Sequence, residues 1–239
     1  MQTFARVLNA TLKTADDISR HYNSIGDPKN PFLSSPKPQL EFPYKRHYTY
    51  GGVEKHFIYL KRIHDEKLVF LAKGQEDDRD LCIKFVRTYG TNSHTLLAEH
   101  DFAPQLLATE AMPGDWLMVV TEWSKGTSMT MRKSEDNSEV VKKVTEAIRT
   151  LHEGGLVHGD VRDVNIIVEE ESDYLRVHLL DFDWAGKESE AKYPLFLNNR
   201  SIKRHPGAVG NCPILKSHDE YMLKVLRDVY CPGRSMDVD

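Results

Sequence analysis

Residues 156–168 read Leu-Val-His-Gly-Asp-Val-Arg-Asp-Val-Asn-Ile-Ile-Val, and a second acidic stretch, Leu179-Leu180-Asp181-Phe182-Asp183, follows. The spacing is His-x-Asp-x-x-x-x-Asn, then a strand-like run, then Asp-Phe. Short apolar runs flank a polar loop, so these side chains are predicted to gather at strand ends. Asp160 is a carboxylate placed to accept a proton from an attacking hydroxyl. Asn165 and Asp181 are hard oxygen donors, and two such ligands suffice for Mg²⁺, which completes its shell with phosphate and water. A base, an amide oxygen and a second carboxylate in this order are the parts phosphoryl transfer needs. Either Asp160 or Asn165 alone would be an ordinary turn residue; the register of all three is what carries the reading.

Around this stretch, Val140, Val141, Val144, Ala147, Ile148 and Leu151 fall on one helical face, predicting a helix of about four turns. Gly154-Gly155 ends it, with His152 at its negative pole. Asn165–Val168 and Leu175–Leu180 read as a hairpin, and Asp219–Val229 as a last helix with Met222, Leu223, Val225, Leu226 and Val229 on its apolar side. Upstream, His56–Leu60, Leu68–Ala72, Leu81–Val86, Gln105–Thr109 and Trp116–Glu122 read as five strands, with a helix over Thr91–Glu99. Residues 4–18 carry a weakly amphipathic helix, read as a packing arm. Pro28, Pro31, Pro36, Pro38 and Pro43 make the following stretch a linker.

The 239 residues carry 32 Lys+Arg against 36 Asp+Glu. No basic excess exists to drive nucleic-acid binding. Cys82, Cys212 and Cys231 lie far apart, which excludes a disulfide framework and a cysteine-based zinc site. The 11 histidines contain no His-Glu-x-x-His or His-x-His, so no linear zinc motif is present. His64-Asp65 and His218-Asp219 lack the further helical His and Asp that a metal phosphohydrolase of the HD type needs. No apolar run is long enough for a bilayer, and the first residues lack a signal peptide's apolar block. The expectation is a soluble, intracellular, cytoplasmic protein with no nucleic-acid or membrane partner.

The catalytic stretch resembles the protein kinase-like superfamily. His-Gly-Asp, and Asp-Phe-Asp-Trp-Ala-Gly after it, are similar to aminoglycoside and choline kinase-type members and to protein-kinase-like proteins of fungi. The resemblance implies ATP and Mg²⁺ as cofactors and a hydroxyl-bearing acceptor, protein or small molecule. It implies Asp160 as base, Arg162 as a cation near the transferred phosphate, Asn165 and Asp181 as metal ligands, and Lys84 on the α/β phosphates. Thr121-Glu122-Trp123-Ser124 resembles the gatekeeper and hinge, so the Glu122 carbonyl and the Ser124 N–H would meet adenine. Asp219 would hold the catalytic loop's backbone.

The sequence also departs from that pattern. The loop 61–67 contains no glycine, whereas a phosphate cradle needs close backbone approach. His94 stands where the helix glutamate that pairs with Lys84 is expected, and a neutral histidine can orient a lysine only by hydrogen bonding. Asp183 replaces a glycine and reads as a further metal ligand or a solvated acid. Lys61, Arg62 and Lys67 read as a solvated turn. His-Gly-Asp lacks the arginine that answers a phosphorylated activation loop, so activation by that route is not expected. The fold implied is α+β and bilobal, with an antiparallel-sheet lobe over 44–124, an abbreviated helical lobe over 125–239, and an arm and linker over 1–43. The function implied is an ATP- and Mg²⁺-dependent kinase; the alternative is a pseudokinase scaffold, which the glycine-free loop and the missing glutamate favour.

Overall fold

The structure, a computed structural model, describes residues 11–20, 23, 42–132, 136–171 and 173–232. Two compact units divide the chain at Lys45 and Arg46. In the first, residues 11–20 form helix α1, with Leu12 and Ile18 exposed and an Arg20–Asp17 ion pair of 2.6 Å. The start of the helix read from the sequence and most of the proline-rich stretch lie outside the described residues.

The second unit begins with a six-stranded antiparallel sheet, not five strands. The chain-order elements are β1 (His47–Tyr50), β2 (Val53–Arg62), β3 (Val69–Gly74), β4 (Asp80–Val86), α2 (Thr91–Glu99), β5 (Leu106–Met112) and β6 (Trp116–Glu122), with strand order β1-β2-β3-β4-β6-β5. The strand absent from the sequence reading is β1. Its four residues are too few to show a period, and the tight turn after it is the clearer signal. Gly51 and Gly52 have φ of 58° and 78°, the left-handed pair that a two-residue hairpin turn demands. On the inner face Tyr48, Phe57, Tyr59, Phe70 and Phe85 form an aromatic ladder with centroids 5.1–6.2 Å apart. The sheet curls until its two edge strands meet, and the Thr49 N–H donates to Glu110 Oε1 of β5 at 2.7 Å.

The second half contains β7 (Thr127–Ser128), α3 (Ser138–Glu153), β8 (Leu156–Val157), β9 (Ile166–Glu171), β10 (Tyr174–Leu179), β11 (Gly186–Lys187) and α4 (Lys216–Tyr230). The six α3 residues picked out by periodicity are all buried. They share one core with Ile166, Val168, Leu179, Phe182, Met222, Leu223 and Leu226. On α4 the apolar side is narrower than the sequence suggests, since Val229 is 63% exposed. The hairpin β9–β10 is joined by β7, and β11 pairs with β8. Among the described residues no helix is long and apolar enough to cross a membrane.

Candidate active site

The polar loop between β8 and β9 is held from beneath. Asp219, in the first turn of α4 and fully buried, accepts the backbone N–H groups of His158 and Gly159, each at 2.8 Å. Its Oδ2 also lies 3.2 Å from His152 Nε2. Gly159 has φ +83°, and a Cβ there would meet Ile214 Cδ1 at 2.8 Å. A side chain at this position is strained by backbone and by neighbour alike, which accounts for glycine before Asp160.

Asp160 is 4% exposed and both its oxygens are engaged. Arg162 binds it through Nε at 2.8 Å and Nη2 at 2.7 Å, a two-pronged contact. Arg204 Nη2 donates to Oδ1 at 2.7 Å, and Asn165 Nδ2 to Oδ2 at 3.0 Å and to the Asp160 carbonyl at 2.9 Å. Arg204 is itself buried, lies over the Trp184 ring at 5.1 Å, and has Nε and Nη1 buried with no hydrogen-bond partner among the described residues.

Asp181 adopts φ 68°, a left-handed conformation that aspartate tolerates better than most residues. Its carboxylate bridges two lysines. Oδ1 takes Lys84, and Oδ2 takes Lys67 at 2.7 Å. Lys84 also binds Asp183. Burial works to raise the pKa of Asp181, but the charges and hydrogen bonds of Lys84 and Lys67 outweigh it and hold the group well below the carboxylate range. For Asp183 burial prevails: opposed by Lys84 but reinforced by negative Asp181, it pushes the pKa up. Burial also acts against the charge on Lys84, but Asp181 and Asp183 together leave its pKa raised.

His94 is not the partner of Lys84. It is 1% exposed and stacks on Phe182 with centroids 4.4 Å apart. Its Nε2 faces the Pro104 carbonyl at 2.7 Å and its Nδ1 the Tyr89 hydroxyl at 2.6 Å. The carbonyl only accepts, so Nε2 carries the proton and Nδ1 accepts from Tyr89. Burial lowers the His94 pKa to about 4. The carboxylates facing Lys84 come instead from Asp181 and Asp183. His158 meets Phe182 edge-on at 5.2 Å, so the loop after β8, the Asp-Phe segment and α2 share one cluster of rings. The Gly90 N–H, just ahead of α2, donates to the Phe182 carbonyl at 2.8 Å and ties the same parts together.

Two cavities meet here. One, of about 170 Å³, is lined by Val69, Cys82, Lys84, Thr121, Asn165 and Asp181 among others. The other, of about 330 Å³, is lined by Asp160, Arg162, Asp183, Trp184, Phe196 and Arg204 among others. Lys67 and Asp181 border both, so their ion pair is the wall between them. Of the residues singled out from sequence, Lys84, Asn165 and Asp181 share the first cavity, and Asp160 and Arg162 face the second. Glu122 and Ser124 line neither. The Glu122 carbonyl accepts the Thr121 hydroxyl at 2.9 Å, its carboxylate takes Arg79 at 2.7 Å, and Ser124 Oγ lies 2.8 Å from His178 Nδ1.

Three site residues escape the sequence reading. Lys67 does stand in an exposed turn, but its ammonium group is engaged: Arg62 Nε folds the loop by donating to the carbonyls of His64 (2.9 Å) and Lys67 (3.3 Å), and the lysine reaches Asp181. Asp183 is not a fully solvated acid: its side chain is largely buried and paired with Lys84. Arg204 lies 44 residues from Asp160 and carries no local signal beyond standing beside His205-Pro206-Gly207.

Comparison with known proteins agrees with this architecture. Residues 106–193, which include Asp160, Asn165 and Asp181, match the family model described as Lipopolysaccharide kinase (Kdo/WaaP) family. The chain is 35% identical over 77 residues to Serine/threonine-protein kinase dkf-2 of Caenorhabditis briggsae, covering 32% of this chain and 6% of that protein. It thus spans only a small part of that relative's length. Among solved structures, the Cydia pomonella granulovirus kinase PK-1 superposes with a TM-score of 0.60 at 16% identity, covering 77% of this chain and 71% of that one. Vaccinia related kinase 3 superposes with a TM-score of 0.55 at 17% identity, covering 81% and 70%. The chain has the α+β protein kinase-like fold.

Proposed function

We propose that the chain is an ATP- and Mg²⁺-dependent phosphotransferase that moves the γ-phosphoryl group to a hydroxyl of a protein or small molecule. The observation that carries this reading is the gathering of Lys84, Asn165 and Asp181 on one cavity, with Asp160 facing the adjoining one across a single ion pair. The donor set fits the metal. An amide oxygen and a carboxylate held ionised by lysines are hard ligands, and both line the same small space. Bound Mg²⁺·ATP would supply the phosphoryl group and neutralise its developing charge. Lys84 would hold the α/β phosphates. Asp160 would orient the acceptor hydroxyl and take its proton, and Arg162 would present positive charge beside the transferred group. Glu122 and Ser124 remain the proposed adenine contacts; neither lines the cavity, but Thr121, next to Glu122 in the chain, does.

The acceptor side is aromatic and cationic, with Trp184, Phe196, Arg162 and Arg204. The names of the relatives point to two acceptor types, a lipopolysaccharide and a protein serine or threonine. Both are hydroxyls, and the proposal extends no further.

A second reading, a pseudokinase, has one observation in its favour: both Asp181 oxygens are already bound by lysines, one of them from the glycine-free loop. Lys67 is about half exposed and is free to swing outward, which keeps the first reading ahead. A thermal-shift titration with Mg²⁺·ATP, followed by a γ-phosphoryl transfer assay, separates the two. Asp160→Asn should lower transfer by about 10²–10⁴-fold while leaving the Kd for Mg²⁺·ATP within about threefold. Equal transfer in variant and parent would exclude Asp160 as base, and absence of nucleotide binding in the parent would favour the scaffold.

A further inference from the structure

The hairpin β1–β2 brings together three groups that no linear motif reveals. His47 and His56 are direct cross-strand partners. The Phe57 N–H donates to the Arg46 carbonyl at 2.9 Å, and the His56 N–H turns away to Glu76 at 3.0 Å. The His47–His56 pair is therefore of the non-hydrogen-bonded kind, where side chains on one face approach most closely. Glu54 lies two residues before His56, so its side chain leaves the same face. The histidine rings stand 5.9 Å apart, centroid to centroid. His56 Nε2 lies 3.3 Å from Glu54 Oε1, and His47 Nε2 lies 3.8 Å from Glu54 Oε2. One donor atom from each of the three residues falls within 4.8 Å of the others.

We propose that His47, Glu54 and His56 form a surface site for a divalent transition metal, Zn²⁺ being the natural occupant. Tetrahedral Zn²⁺ with ligand bonds of about 2.0–2.1 Å places its ligands about 3.3 Å apart. One contact already has that length and the second needs only a small side-chain rotation. Two imidazoles and a carboxylate suit zinc over Mg²⁺, whose preference is for oxygen. The supporting contact is also present. His56 Nδ1 lies 3.3 Å from Glu76 Oε1, so the ring nitrogen facing away from the site is held by a carboxylate. That arrangement orients a metal-binding imidazole and leaves Nε2 with its lone pair toward the ion. Glu54 is 57% exposed and the histidines 39% and 47%, so the fourth position is open to water or to an outside ligand. A bound ion would clip β1 to β2 at the edge of the sheet, away from the residues proposed for phosphoryl transfer.

The test is titration of the full chain with Zn²⁺ and, for a spectroscopic readout, with Co²⁺, whose visible absorption reports four-coordinate nitrogen and oxygen ligation. The parent should bind one ion at micromolar or lower concentration and melt at a higher temperature with Zn²⁺ present. His47→Ala/His56→Ala should lose that site by 100-fold or more, and Glu76→Gln should weaken it by about tenfold. Far-UV circular dichroism of each variant without metal shows whether the fold is kept. Glu54→Gln, a near-isosteric change at an exposed position, serves if the double variant does not fold. No binding by the parent below millimolar Zn²⁺ overturns the proposal. So does binding by the folded double variant, or by Glu54→Gln, at parental strength, because the ion would then sit elsewhere.

Discussion

His94 makes acid sensitivity a measurable property of the site. An unfolded histidine titrates near 6.5, and burial lowers the His94 value to about 4. Between those values the unfolded chain binds a proton that the folded chain refuses. The contribution is therefore fully present above pH 6.5 and is lost as pH falls toward 4. Its size is about 3 kcal/mol at neutral pH, of which about 2 kcal/mol has gone by pH 5. His158, His178 and His218 shift downward by burial and add to the same trend. Asp183, shifted upward, opposes it. Comparing the parent with His94→Phe cancels those other groups. Phenylalanine can keep the stack on Phe182 but leaves the Tyr89 hydroxyl and the Pro104 carbonyl without their partner, at a cost of about 1–3 kcal/mol. Urea unfolding followed by fluorescence of Trp116, Trp123 and Trp184 at pH 7.5 and 5 gives both quantities. The parent should lose about 2 kcal/mol more than the variant on acidification. Parallel losses in the two proteins would refute the assignment of a buried, neutral His94.

Two further substitutions probe the catalytic loop. Gly159→Ala should lower stability by about 1–3 kcal/mol, from the left-handed backbone and the contact with Ile214, and an unchanged urea midpoint would contradict that geometry. Arg204→Met removes one hydrogen bond to Asp160 but also two buried nitrogens, Nε and Nη1, that have no partner among the described residues, so stability should change by less than about 1 kcal/mol. Phosphoryl transfer should meanwhile fall at least tenfold as Asp160 loses one of its two arginines, and full activity would show that Arg204 does not position the carboxylate.

Local pattern made the scaffold legible. The α3 face, the helix over Thr91–Glu99 and the strand Trp116–Glu122 follow from period and punctuation, and the structure repeats them residue for residue or nearly so. The set Asp160, Asn165 and Asp181 was readable because two of its members share a single loop and the third ends the next hairpin. What escaped depends on contacts distant in sequence. Lys67 meets a carboxylate 114 residues away, and Arg204 one 44 residues away; neither distance leaves a period or a motif. His94 stands where the sequence pattern expects a glutamate, but its partners, Phe182, Tyr89 and the Pro104 carbonyl, are set by how α2 packs. The strand β1 escapes because four residues carry too little alternation.

Lys67 gives the resting site a tethered counter-ion. A cation arriving at Asp181 competes with an ammonium group that never diffuses away, so an ion bringing little charge gains nothing by the exchange. A divalent ion escorted by phosphates gains twice. It would replace one positive charge by two at Asp181, and it would set Lys67 loose beside the anionic oxygens arriving with it. The loop that lacks glycine amides for gripping phosphate would then offer a mobile cation in their stead, so that blocking the empty site and binding the full one become two positions of the same side chain.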